Sequence, residues 1–442
     1  QTQETATPKQ KERETAIKHS AEEIVLTSGA RGLLIDVPGA SVMSTKFQFR
    51  AGMRYAKRPE VYEIAHVVEH LAFGANAKYS SEQAFEADFT KNGAYHNAWT
   101  SDYSVCYESE CADFEWDRIL ELQRYSITQP RFNEDELRSE KGNVRAELTG
   151  YLNDYSRLLW PRLQQQVGEN VPDLQERLRT ISNIELKDIR EHYRRTHTAH
   201  NLRFIIAGNL RHRKHKLIRA LNAWGLKPGE RFAIPYDELH GANPVLIRRK
   251  DATNITFAFS WLIPRQLSPT EVYAMSCLNH ILNGTMNSRI FGQARKRGLV
   301  YGMGSDLSNG WHNASWDFDG EVNAESATEL FQLIHQELQK LLAGHLREQD
   351  LAAAKSYATG RYQMGAQTVN QISDYYADTY FTTGNFVKYH RVPALIRALE
   401  PADLIALARE FLTSDLHAFV AVSSVEKALI NSLAAELDFT AA

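Results

Sequence analysis

The chain has 442 residues, 51 Lys and Arg against 54 Asp and Glu, a formal net charge of −3, 43% hydrophobic and 24% charged residues. That length exceeds one ordinary domain, so two of about 200 residues each are expected, and the near-neutral charge lacks the basic signature of a nucleic-acid binder. No apolar run reaches the roughly 20 residues needed to cross a bilayer, and three cysteines without a C-x-x-C exclude both a disulfide framework and a thiolate zinc site.

In chain order, residues 1–22 are polar without a hydrophobic stripe and are expected to form a mobile arm or a loosely docked helix. Gly32–Val37 and Val42–Phe49 read as strands. The stretch from Tyr62 to Phe73 reads as an amphipathic helix carrying His66-Val67-Val68-Glu69-His70. Residues four apart on a helix lie one turn above each other, so His66 and His70 can offer two imidazoles to one ion. Glu69 sits beside the same face, close enough to take a proton from a metal-bound water. The bland alternative is a half-buried polar pair, and a hydrolytic zinc site would need a third protein ligand besides water.

Asn92-Gly93 signals a turn, and Tyr95 to Glu108 has strand-like composition. Asn133 is a good N-cap, with Glu134, Asp135 and Glu136 in the first turn of a helix predicted to run to Leu152. Glu140 and Glu147 lie two turns apart on that helix and share a face. By themselves they read as a solvated surface. Residues 185–210 then predict a helix and a buried strand ending at Gly208. The Pro/Gly-bearing stretch from Gly225 to Asn243 reads as a boundary.

The second half repeats the first. Val245–Arg248 and Ile255–Leu262 are strand-like and precede a helix carrying Ala274–Gly284, on which His280 aligns with His70, Asn279 with Glu69, and Ser276 with His66. This copy loses the base and one histidine, so His280 is expected to be structural. A further segment, Leu282 to Gly302, holds Gly284, Arg295, Arg297 and Tyr301; Gly284 could lend a loop backbone freedom. Both halves close with a helix and a buried strand. Each reads as α+β, an antiparallel-rich sheet with helices on one side. The expected organisation is an arm over 1–22, a catalytic domain over 23–228, a linker over 229–243 and a homologous second domain over 244–442.

The H-x-x-E-H helix and a glutamate pair whose second member follows His70 after seventy-six intervening residues together resemble the inverzincin (pitrilysin-type) zinc metallopeptidases. The resemblance implies that His66, His70 and Glu147 bind one zinc ion per chain. It makes Glu69 the general base and Glu140 a supporting acid behind the ligands. The segment from Asn92 to Ser109 is similar to the family strand that binds substrate backbone, which implies that role for Asn97 and Ala98. His96 is open as an extra ligand or a structural histidine. The Leu282–Gly302 segment resembles the family's C-terminal signature, whose arginine–tyrosine pair completes the site. Tyr301 matches it. This sequence is one residue shorter than the usual pattern there, so Arg295 is taken as the partner and Arg297 stays open.

The short chain is similar to the mitochondrial processing peptidase branch of two-domain subunits, which implies a homodimer. The implied activity is a zinc endopeptidase acting on short or unfolded peptides added as a strand to a sheet edge. The alternative is a catalytically inert partner or assembly subunit of the same fold. Nucleic acid and membrane partners are not expected. No signal peptide is recognisable, so the cytoplasm is the expected compartment, or the periplasm if an export signal was removed.

Overall fold

The computed structural model describes residues 17–440, so residues 1–16 of the expected arm lie outside the described residues. The remainder of that segment departs from expectation. Ser20–Val25 forms a strand (β1) paired antiparallel with β2 (Arg31–Asp36). An outermost strand is held by backbone hydrogen bonds and needs no apolar stripe of its own, which is why its polar sequence concealed it.

The first sheet contains β1, β2, β3 (Val42–Phe49), β4 (Tyr95–Thr100), β5 (Val105–Ala112) and β6 (Leu202–Gly208), in the order β1-β2-β6-β3-β5-β4. The second contains β7 (Val245–Arg248), β8 (Asn254–Ile263), β9 (Val300–Asn309), β10 (Ala314–Asn323) and β11 (His417–Ser423), in the order β7-β11-β8-β10-β9. β2 pairs parallel with β6 as β7 does with β11, and every other pairing in either sheet is antiparallel. The internal repeat is therefore a repeat of topology, with β1 added to the first copy.

The strand-like stretch from Tyr95 onward is not one strand. It breaks at Ser101–Ser104, where the Ser101 Oγ accepts from the backbone N–H groups of Tyr103 and Ser104 at 3.3 and 3.1 Å. That side-chain turn folds β4 back on β5 as a hairpin. The Asn92-Gly93 turn forms as expected, with Gly93 at φ +85°.

The layering also differs from expectation, because helices cover both faces of each sheet. Helix Tyr155–Gln166, from the first half, lays Leu158, Leu159 and Leu163 against Ala258, Leu262, Val420 and Val422 of the second sheet. Helix Val369–Thr383, from the second half, lays Val369, Ile372, Tyr376 and Tyr380 against Leu33, Ile35, Ile205 and Ala207 of the first. Lys46 crosses the same junction, pairing with Glu108 at 2.7 Å and Asp374 at 2.8 Å. The strands bear on this exchange: β6 carries Phe204 and Ile206 on one face and Ile205 and Ala207 on the other, and β8 buries Ala258 and Leu262 on the face opposite Phe257 and Phe259, so each sheet has apolar side chains to cover on both sides. Between Asn222 and Val245 the chain forms no helix or strand. No helix among the described residues is long and apolar enough to cross a membrane.

Candidate metal centre

The H-x-x-E-H segment forms helix Ile64–Leu71, shorter than the predicted Tyr62–Phe73 and preceded by a 3-10 turn at Pro59–Val61. Its apolar residues divide between two cores. Ala65 joins the cluster under the first sheet, while Ile64, Val67, Val68 and Leu71 join the cluster beneath helices Glu134–Tyr151 and Leu186–Thr196. A helix wedged on two sides keeps one polar face free, and His66, Glu69 and His70 occupy it. Tyr62 pins its start, its hydroxyl donating to Asp102 in the β4–β5 turn at 2.6 Å.

Glu147 reaches this face from helix Glu134–Tyr151. Asn133 caps that helix as expected, its side chain accepting from the Glu136 N–H at 2.9 Å. The Glu147 Oε2 lies 3.4 Å from His66 Nε2 and 4.0 Å from His70 Nε2. One ligand atom from each of the three residues falls within 4.8 Å of the others.

The outer nitrogens of both imidazoles are engaged. His70 Nδ1 meets Glu140 Oε2 at 2.9 Å, and His66 Nδ1 meets Glu63 Oε2 at 3.1 Å. With a ring proton on Nδ1 donated outward to each carboxylate, both Nε2 atoms turn inward, and a metal ion there would displace the proton that the acidic surroundings otherwise favour on His66. With Glu147, that is a two-nitrogen, one-oxygen donor set of the kind that holds zinc with one position open. The residues present fit the ion. Glu63 precedes His66 by one helical turn, a spacing that carries no signal in the H-x-x-E-H pattern itself.

The electrostatics suit a cation. Hydrogen bonding to His66, against the opposing effect of burial, holds the Glu147 carboxyl at about 2. Burial depresses His66, but its bonds to Glu147 and Glu63 prevail and raise it to about 9. Burial lifts Glu69 above the ordinary carboxylate value, opposed by the Thr100 hydroxyl, which donates to Glu69 Oε2 at 2.6 Å. Glu69 is outside the three-residue donor group and is therefore free for proton transfer.

His96 is not among the donor group. It packs on Phe73, Phe85 and Phe89, and its Nε2 meets Glu86 Oε2 at 2.6 Å. Asn97 is exposed on β4, Ala98 beside it is buried, and β4 is the outermost strand on that side of the sheet, packed against the histidine helix. Its unpaired backbone edge is where an extended peptide could add.

Tyr301 is 85% exposed on β9, the outermost strand of the second sheet. The Arg295 guanidinium lies 4.5 Å over its ring, whereas Arg297 turns to Glu329 at 3.5 Å. Arg295 and Tyr301 line a cleft of about 700 Å³ with Ser156, Leu159 and Trp160. Among the described residues, no hydrogen bond, ion pair or ring contact joins either to His66, His70, Glu69 or Glu147. His280 stacks on Tyr357 with centroids 3.8 Å apart. Gly284 has φ −71°, so it uses no special backbone freedom; a Cβ there would come within 2.7 Å of His280 Nδ1.

Residues 33–172 match the family model described as Insulinase (Peptidase family M16), and residues 183–357 match the Peptidase M16 inactive domain. The chain is 21% identical over 398 residues to the "Uncharacterized zinc protease YmxG" of Bacillus subtilis, covering 88% of this chain and 95% of that protein. A protease from Helicobacter pylori shares the fold with a TM-score of 0.80 at 19% identity, over 92% of this chain and 99% of that one. A chain of Complex III2 from Candida albicans does so with a TM-score of 0.79 at 14% identity, over 95% and 100%.

Proposed function

The chain belongs to peptidase family M16, and on that premise we propose that it is a zinc-dependent endopeptidase hydrolysing short or unfolded peptides. The observation that carries this reading is the convergence of His66, His70 and Glu147 with Glu69 beside them and outside the ligand set. A zinc ion held by those three residues would supply Lewis acidity toward the scissile carbonyl and bring the pKa of its water toward neutrality. Glu69 accepts the water proton on its carboxylate and returns it to the leaving amine. Thr100 orients that carboxylate through the bond to Oε2. The free edge of β4 takes the substrate backbone, with Asn97 and Ala98 at the point of contact.

Tyr301 and Arg295 are assigned to the developing oxyanion, where a phenol and a cation act chiefly in the transition state. Among the described residues, no hydrogen bond, ion pair or ring contact joins them to the histidines of their own chain. We therefore place them in the site of a second copy, giving a homodimer with two equivalent sites. The inert-subunit reading draws on the shared fold of the Complex III2 chain. It leaves the Glu69–Thr100 pair and the inward-facing nitrogens without a use, so it ranks second.

The test is metal content and cleavage measured on the purified chain. One zinc per chain is expected, with hydrolysis of an unstructured fluorogenic peptide lost on chelation and regained on adding zinc. Two metals per chain, or none after purification with zinc, would overturn the ligand set.

A further inference from the structure

Glu63 is 0% exposed, and a lone carboxylate in that position would be strongly disfavoured. Arg177 prevents this. From helix Leu174–Thr180 its Nε donates to Glu63 Oε1 at 2.5 Å and its Nη2 to Oε2 at 3.1 Å, a two-pronged clamp that fixes the carboxylate plane. The same Nη2 touches Met53 Sδ at 3.6 Å, and the arginine side chain is only 17% exposed. A buried ion pair is poor evidence of stabilisation, since an apolar pair of similar volume commonly serves as well. What an apolar pair could not provide is the other contact of Oε2, the one to His66 Nδ1 at 3.1 Å.

We infer that Glu63, clamped by Arg177, is a positioning residue that holds the His66 ring with its proton on Nδ1 and its Nε2 toward the metal position. The inference rests on the reading of His66 as a ligand. It parallels the pairing on the other histidine, where Glu140, itself held by Asn143 Nδ2 at 3.1 Å, meets His70 Nδ1. The two carboxylates approach from opposite directions in sequence. Glu140 comes from the helix that bears Glu147, whereas Glu63 precedes the first histidine by one turn and takes its charge partner from 114 positions away. Outer partners of this kind change metal affinity by about 10- to 100-fold without touching the ion.

The experiment uses the full chain. Zinc affinity is measured by competition with a chromophoric chelator, and the ring N–H resonances of the ¹⁵N-histidine-labelled, zinc-loaded protein are recorded. The His66 signal is assigned by its loss in His66→Gln. Glu63→Gln should weaken zinc by about 10- to 100-fold and shift the His66 Nδ1–H resonance while leaving that of His70 in place. A merely structural role for Glu63 would not single out one ring. Arg177→Lys keeps a cation but cannot fork, so it should produce a smaller loss in the same direction, and it carries the test should Glu63→Gln fail to fold. Unchanged zinc affinity, or an unmoved His66 resonance, in a folded variant overturns the inference. A wild-type chain that takes up no zinc overturns instead the ligand reading beneath it.

Discussion

Replacing Glu69 with glutamine removes a proton acceptor while conserving volume and one hydrogen-bond acceptor. In the structure Glu69 Oε2 accepts from Thr100 Oγ1 at 2.6 Å, a bond the glutamine carbonyl oxygen can also accept. Glu69 lies outside the donor group of His66, His70 and Glu147, so the metal affinity of Glu69→Gln should stay close to that of the wild type. The loss falls on catalysis. A positioned general base contributes on the order of 10²–10⁴ in rate, about 3–5 kcal/mol of barrier. Glu147→Gln should do the reverse, lowering zinc affinity first, because it replaces the anionic ligand that both Nε2 atoms face. Both variants can be assayed on one fluorogenic peptide with bound zinc determined in parallel. If Glu69→Gln strips the metal while Glu147→Gln retains metal and activity, the two roles have been exchanged.

Tyr301→Phe and Arg295→Ala should each lower kcat by about a hundred- to a thousandfold with zinc unchanged, whereas Arg297→Ala, whose partner is the exposed Glu329, should be mild; the converse pattern would show that Arg297 is the working cation. Mixing inactive Tyr301→Phe and Glu69→Gln preparations should restore hydrolysis by exchange of copies, and failure to recover any activity in demonstrated mixed dimers would rule out action across the interface. Burial pushes Asp317 up to about 6 from 3.8 despite bonds from Ser260 and Ser315. The folded state therefore binds the extra proton, and about 3 kcal/mol of stability present at low pH is lost as pH rises through about 6. Asp317→Asn should flatten that slope and raise Tm at pH 8 more than at pH 4, and equal shifts at both would refute the assignment. Residues 23–228 expressed alone should aggregate, because Leu33, Ile35, Ile205 and Ala207 lose the helix Val369–Thr383 that covers them; a monodisperse, folded fragment would show that the exchanged helices are dispensable.

What the sequence determined was governed by backbone periodicity. His66 and His70 share a face because any helix through those residues places positions four apart together, and the Asn133 cap and the buried strand ending at Gly208 follow from equally local rules. The repeat was legible because both halves punctuate their strands alike. Glu147 was a different matter: its helix was predictable, but its place beside the histidines came from a resemblance in spacing, and tertiary packing brings its Oε2 to 3.4 Å from His66 Nε2.

Only the tertiary structure decided the rest. The Ser101 turn that makes β4 an outermost strand depends on one side chain bonding two backbone N–H groups. The polar strand β1 is held by its neighbour's backbone rather than by its own pattern. The exchange of helices between halves and the Glu63–Arg177 clamp both join segments far apart in the chain. A sequence pattern records which face of an element must leave water, but not which distant surface will cover it. That choice belongs to the packing of the whole molecule, and so it was visible only there.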